Sequence, residues 1–97
     1  MAEICYIDWH CTPFRTDRFL DLWEPAAARV LAFGAKSWSL DRSTDDPLLV
    51  RQSSTWENRS DFERYWFSEE IASVRETTID LYHKPILPSW HTLLVAE

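Results

Sequence analysis

Three side chains near the start of the chain could hold or move a proton. Tyr6, Asp8 and His10 recur at every second position. In an extended chain that spacing puts a hydroxyl, a carboxylate and an imidazole in a row on one face. Asp8 and His10 are candidate bases, and Tyr6 is a candidate donor to an anion. Arg51 and Arg75 are candidate anion holders. Tyr65 and Trp66 are adjacent aromatics able to sandwich a flat molecule, and His83 and His91 are further polar candidates.

Each of these residues also has a plainer reading. Asp8 and His10 can pair across a subunit seam without doing chemistry, because ion-pair networks perturb titration as active sites do. Trp66 can simply be core. Arg75, close to Glu69, Glu70 and Glu76, can lie on a solvated helix face. His83 can be a cation at a helix end, and His91 can point to solvent. Asp8 and His10 at i,i+2 supply two ligands, which is not a metal site, so no metal is expected. Cys5 and Cys11 read as small buried hydrophobes.

The elements that must position these groups follow from pattern. Ile4 to Cys11 is a strand, with Cys5, Ile7, Trp9 and Cys11 toward helices and Ile4, Tyr6, Asp8 and His10 on the other face. A slip of one residue would exchange the two sets. Thr12-Pro13 ends the strand. A helix starts at about Thr16 or Asp17 and carries the stripe Phe19, Leu22, Trp23, Ala26, Val30 and Phe33. Pro25 should kink it or divide it in two. Gly34, the single glycine, falls where a helix takes a left-handed C′ residue. Lys36 to Ser43 and Leu48 to Trp56 read as two strands of an antiparallel hairpin, joined through the turn chemistry of Asp45-Asp46-Pro47. Ser60-Asp61-Phe62-Glu63 has the form of a capping box. Phe62 and Trp66 share a face of a short helix. A break near Ser68 then starts a longer helix running to about Tyr82, with Ser68 as cap and Glu69 and Glu70 at its positive end. Pro85 and Pro88 stop that helix, and Trp90 to Ala96 is a final strand.

The order is β-α-β-β-α-β. It predicts a single α+β domain over 1–97, a ferredoxin-like antiparallel sheet with helices on one face. The other face is bare in a single copy, and a large bare face with apolar residues calls for a partner.

Composition narrows the function classes. Ninety-seven residues bury roughly 60–65% of the unfolded surface, enough for one core but not for a core plus a deep private pocket. Dimerisation is one way to obtain both. Six tryptophans, five phenylalanines and three tyrosines are many for this length, and such residues gather in cores, interfaces and ligand pockets. A net charge of −6 with no basic stripe argues against nucleic acid. No apolar run of membrane length occurs, and the start of the chain lacks the pattern of a secretory signal. Two cysteines at Cys5 and Cys11 fit neither zinc nor a disulfide scaffold, so a cytoplasmic protein with reduced thiols is expected.

The run DDPLLVRQSSTWENRSDFERYW, from Asp45 to Trp66, resembles the core motif of the antibiotic biosynthesis monooxygenase-like family. The shared pattern is an acidic-Pro turn, a strand ending in Trp, a short polar link and a helix opening with an aromatic. Gly34 ahead of the second strand and a last strand after a proline-containing connector also fit. The resemblance implies a dimeric α/β barrel in which two ferredoxin-like sheets pack face to face. It implies a homodimer with a cavity between sheet and helices or near the barrel mouth, and family activities that include cofactor-free oxygenation of aromatic polyketide-like substrates. That chemistry needs a base for a phenol or activated carbon, donors for the resulting anion, and a dry pocket that admits oxygen. On this reading Asp8 or His10 is the base and Tyr6 and Arg51 stabilise the anion. Tyr65, Trp66, Arg75 and His91 line the substrate, and no cofactor is required. The haem-degrading branch of the family is disfavoured: strand one offers Asp8 but no Asn, and Arg75 falls near the position of the iron-ligating His. A non-catalytic dimeric binding or structural module and a polyketide cyclase-like enzyme on the same barrel are the alternatives, since function lives in the site and not in the scaffold.

Overall fold

The computed structural model describes residues 2–84 and 86–96. The first strand, β1, spans Glu3–Cys11, and its burial alternates residue by residue. Cys5, Ile7, Trp9 and Cys11 are buried on one face, while Ile4, Tyr6, Asp8 and His10 are half-buried on the other. The expected register therefore holds.

Helix α1 spans Thr16–Ala28 and tightens into a 3-10 turn over Arg29–Phe33. Phe19, Trp23, Ala26 and Val30 of its stripe are buried. Pro25 lies inside the helix without dividing it at that point, and the tighter 3-10 winding starts only at Arg29. The proline lies on the exposed side, where a carbonyl deprived of its N–H donor can turn to water. Gly34 closes the turn at φ 112°, with the Ala35 N–H donating to the Val30 carbonyl at 3.1 Å. Added there, a Cβ would sit 3.3 Å from Asp61 Oδ2. Both the left-handed backbone and the close approach thus select glycine.

The hairpin is β2 (Ser37–Arg42) and β3 (Leu49–Trp56), antiparallel, each slightly shorter than the pattern predicts. Asp46 closes its turn by accepting from the Leu48 N–H at 3.2 Å, the local bond expected of an acidic turn residue. Helix α2 spans Arg59–Trp66 and starts from Asn58, so Ser60 is already inside it and the expected capping box does not form. With Arg59 as the first helical residue, the Glu63 N–H that Ser60 would have capped is the fifth of the helix and already has a carbonyl four residues back to bond. The break at Ser68 is as expected: its hydroxyl accepts from the Ile71 N–H and opens α3, Glu69–Thr78. That helix ends at Thr78, short of the expected Tyr82, and a 3-10 turn over Ile79–Leu81 follows.

The last sheet position is shared by two short strands on the same edge of β1. The first, β4, is Tyr82–His83 and pairs with His10 and Cys11. The second, β5, is Ser89–Thr92 and pairs with Glu3 to Tyr6. The sequence had suggested one strand over Trp90 to Ala96. Instead the chain pairs first at Tyr82–His83 and again at Ser89–Thr92. The expected stop at Pro85 lies outside the described residues. The sheet order is β2-β3-β1 with β4 and β5 together at the far edge, antiparallel throughout. This is the ferredoxin-like arrangement, with the helices packed on the face of Ile7 and Trp9.

Candidate functional site

The cross-strand register sorts the candidate residues onto two sides of the sheet. Ile7 faces Gln52 and Trp9 faces Val50, so Val50, Gln52, Ser54 and Trp56 share the helix side. Tyr6 faces Ser53, Asp8 faces Arg51 and His10 faces Leu49, on the open side. His91 joins them opposite Ile4, and His83 opposite His10.

On the open side the polar groups form a connected array. Arg51 donates from Nε and Nη2 to the two Asp8 carboxylate oxygens at 2.8 and 3.2 Å. This fork uses the planar match between guanidinium and carboxylate. The same guanidinium lies 4.9 Å from the centre of the Tyr6 ring, and that ring meets His91 edge-on at 5.0 Å. The Asp8 bonds, above all, hold the Arg51 guanidinium above its ordinary pKa, with Asp41 adding to the field. The His10 and His83 rings are 6.3 Å apart. Around this array the face is hydroxylic: Ser39 and Ser53 bond at 2.6 Å, and Ser37 donates to Thr55 at 3.0 Å. The bare face is thus more polar than the apolar surface expected of it.

Tyr65, Trp66 and Arg75 are on the other side, so the structure does not bring them to the Tyr6–Asp8–His10 row. Tyr65 is fully buried and its hydroxyl donates to the Ala26 carbonyl at 2.8 Å. Burial pushes its pKa up to about 12, with the neighbouring Gln52 amide opposing. Trp66 packs on Trp9, Trp23 and Phe62 with ring centres 5.7 to 6.5 Å apart. Arg75 covers it, with the guanidinium 4.3 Å from the ring centre and Nη1 donating to the Trp66 carbonyl. In place, Arg75 is a cation–π lid on a core tryptophan.

One residue of the helix side was missed in the sequence. Gln52 is fully buried; its Oε1 accepts from Trp23 Nε1 at 2.8 Å, and its Nε2, beside the Tyr65 hydroxyl, makes no bond of full hydrogen-bond geometry. The orientation is fixed, because an indole N–H can only donate. A buried amide N–H without an acceptor costs about 1–3 kcal/mol. The signal was visible: Gln52 is the one large polar residue at an inward position of β3, where a period-2 reading asks for an apolar one. The space around it, between sheet and helices, is occupied by Trp9, Trp23, Trp56, Phe19, Phe62, Tyr65 and Trp66. The larger grooves lie at the surface instead. One of about 480 Å³ runs between α1 and β2, lined by Leu20, Glu24, Trp38 and Leu40 among others.

No group of three or more His, Cys, Asp or Glu side chains suited to a metal occurs among the described residues, and no described helix is long and apolar enough to cross a membrane.

No family model and no curated protein matches the sequence. Solved structures match it across nearly the whole chain. One is named "putative antibiotic biosynthesis monooxygenase" from Nitrosomonas europaea. It is 15% identical, with a TM-score of 0.87 over 96% of this chain and 90% of that one. A protein of the same name from Caulobacter crescentus CB15 is 10% identical, with a TM-score of 0.84 over 97% and 91% of the two chains. Another from Bordetella bronchiseptica is 16% identical, with a TM-score of 0.81 over 98% and 100%. At such identities what is shared is architecture: this chain has the α+β ferredoxin-like fold of the antibiotic biosynthesis monooxygenase-like proteins.

Proposed function

We propose that the chain is a cofactor-independent, monooxygenase-like enzyme for a small aromatic or polyketide-like molecule, working as a cytoplasmic homodimer whose open sheet faces meet in an α/β barrel. The observation that carries this reading is the linked row of Tyr6, Arg51 and Asp8 beside His10, on a sheet face that no described element covers. A second sheet laid over it would exclude water and strengthen every charge in the row.

His10 is the base. Asp8 is a weaker choice than His10, because both its oxygens are engaged by Arg51; its role is to hold that guanidinium in place. His10 takes a proton from an acidic CH₂ or phenol of the substrate, and Tyr6 and Arg51 hold the oxyanion that results. The carbanion form reduces dioxygen. One oxygen atom stays in the product as a carbonyl and the other leaves as water, with the substrate supplying all the electrons. His91, against Tyr6, borders the ligand. Tyr65, Trp66 and Arg75 support the site from the opposite side of the sheet.

The test is oxygen uptake with anthrone, a tricyclic ketone with an acidic CH₂, followed by product analysis for anthraquinone. The expected result is enzyme-dependent uptake of one dioxygen per product. It should fall about 10²-fold or more in His10→Ala and persist in Asp8→Asn at a reduced level. Uptake unchanged by His10→Ala would remove the base.

A second reading, a non-catalytic small-molecule-binding module, is favoured by the filled space between sheet and helices. It predicts quenching of tryptophan fluorescence by aromatic ligands with no turnover. Turnover of a polyketide-like substrate without oxygen uptake would instead indicate cyclase-like chemistry.

A further inference from the structure

We infer that Asp41 selects the charge of the ligand: the open sheet face takes an uncharged keto or phenolic ring system and turns away a carboxylated one. This rests on the preceding section for where the ligand sits, and goes beyond it in naming the ligand's charge and the residue that reads it.

The register puts two carboxylates beside one guanidinium. Arg51 faces Asp8 of β1 on one side and Asp41 of β2 on the other. The two pairs are not equivalent. The Cys11 N–H donates to the Leu48 carbonyl at 2.7 Å. By the alternation of an antiparallel ladder, odd-numbered residues of β1 then bond to β3, and Asp8 meets Arg51 in a non-hydrogen-bonded pair. The Ser43 N–H donates to the Leu49 carbonyl at 2.9 Å, so Asp41 meets Arg51 in a hydrogen-bonded pair. Side chains come closer in the first kind, with Cα atoms about 4.5 Å apart against about 5.5 Å in the second. The fork accordingly closes on Asp8, through Nε and Nη2. Asp41 is left exposed on the edge strand, where it acts on Arg51 through its charge.

That leaves the face with one carboxylate in excess. Among the described residues that the pairing places on this side, Asp8, Asp41 and Arg51 carry the formal charges, with imidazoles counted as neutral. Asp8 and Arg51 cancel, and Asp41 remains. A ligand carboxylate aimed at Arg51 finds the guanidinium already matched and a second carboxylate one strand away. In the homodimer of the preceding section the facing sheet repeats the excess, so both walls of the site repel an anion, and the covered, water-poor space between them strengthens the repulsion.

An uncharged ligand meets hydroxyls instead: Tyr6, and the bonded pairs Ser39–Ser53 and Ser37–Thr55. The proton transfer set out above fits this selection. Moving a proton from a neutral substrate to His10 makes an anion and an imidazolium together, and the net charge of the face does not change. A ligand that arrives as an anion adds a charge that nothing on the face offsets.

Calorimetric titration of the full chain with 2-(hydroxymethyl)anthraquinone and anthraquinone-2-carboxylate tests this. The two share a ring system and differ in charge. At about pH 8, where an ordinary imidazole is neutral, wild type is expected to bind the alcohol about tenfold or more tightly than the carboxylate. Asp41→Asn should raise affinity for the carboxylate about tenfold and leave that for the alcohol within about twofold, and the gain should shrink at high salt. Glu69→Gln removes a negative charge from exposed helix surface on the other side of the sheet and should change neither affinity. A gain there equal to that of Asp41→Asn would trace the preference to net charge and overturn the assignment. So would equal affinity for the two ligands in wild type, or a preference that survives Asp41→Asn. Binding of neither ligand to wild type overturns both this inference and the ligand face it rests on. The expected pattern without oxygen uptake on anthrone leaves Asp41 standing and removes the oxygenase.

Discussion

The two faces of the sheet divide between them what an oxygenase would need. The helix side is dry and aromatic: Trp9, Trp23, Trp56 and Tyr65 are buried there, Trp9 against Trp23 and Trp56 against Tyr65 in tilted ring pairs. Its polar groups are an amide, a phenol, indole N–H groups, hydroxyls and two thiols, none of which is a base near neutral pH. The open side has the reverse. It carries an imidazole, a carboxylate and a guanidinium in contact with a phenol, but nothing described covers it. One strand, β1, serves both, because alternate residues face opposite ways. What the difference teaches is that stability and chemistry are separable here by parity of residue number along one strand.

That separation predicts a graded set of effects. The largest is in the dry face. Trp23→Ala should cost about 3–5 kcal/mol in urea unfolding, whereas Tyr6→Ala, on the open side, should cost under about 1 kcal/mol. Equal costs would mean that the open face is part of the core and the division is false.

Alkaline pH comes next. The Tyr65 phenol is pushed up to about 12 by burial, and Cys5 also to about 12 for the same reason. Both shifts favour the neutral form in the folded state. Their stabilisation is complete below the unfolded values, near 9 for the thiol and 10 for the phenol, and is lost as pH rises through about 12. A raised phenol of this size corresponds to about 3 kcal/mol at most. Urea midpoints should hold to about pH 9 and then fall steeply; a flat profile to pH 11.5 would show that these groups ionise without unfolding.

A smaller effect separates packing from hydrogen bonding within the dry face. Gln52→Leu removes an N–H that makes no bond of full geometry but also strips Trp23 Nε1 of its acceptor. We expect a loss of about 1–3 kcal/mol in the wild-type background. In a Trp23→Phe background the loss should shrink by about 1 kcal/mol or more, since no indole remains to be orphaned. A coupling of zero would show that the amide works alone.

The smallest effect belongs to the open face. The Asp8–Arg51 fork is partly in solvent, with 46% of the Arg51 and 36% of the Asp8 side chain exposed, so Asp8→Asn should change stability by under about 1 kcal/mol and less still at high salt. A larger change would indicate that a second sheet covers the pair in solution.

How far the sequence could be read follows from which interactions are local. The parity of β1 was legible, because Cys5, Ile7, Trp9 and Cys11 differ so clearly from the residues between them. Gly34 and Ser68 were legible too, each being a residue type whose backbone or side chain does one job at a helix end. The capping box at Ser60 misled because a motif of that spacing says nothing about where the first helical residue lies, and here it is Arg59. Whether Pro25 would kink the helix or divide it was left open by the sequence, because its cost depends on whether the deprived carbonyl meets water or core. The two-part last strand was not legible at all: whether Tyr82 and His83 pair with His10 and Cys11 depends on where β1 ends in space.

The candidate site divides in the same way. Its members Tyr6, Asp8 and His10 were fixed as one set by spacing alone, since a strand obliges i, i+2 and i+4 to share a face. Whether Arg51, Tyr65, Trp66, Arg75 or His91 belonged with them was a question about register and helix packing. Tertiary structure put Arg51 and His91 with the row and sent Tyr65, Trp66 and Arg75 behind the sheet. The order of elements and the inward stripes were determined by the sequence by itself, because periodicity is a property of neighbours. The pairing of Arg51 with Asp8, the burial of Gln52 against Trp23 and the exposure of Leu94 and Val95 were decided only when distant segments met, because each depends on a contact no local pattern encodes.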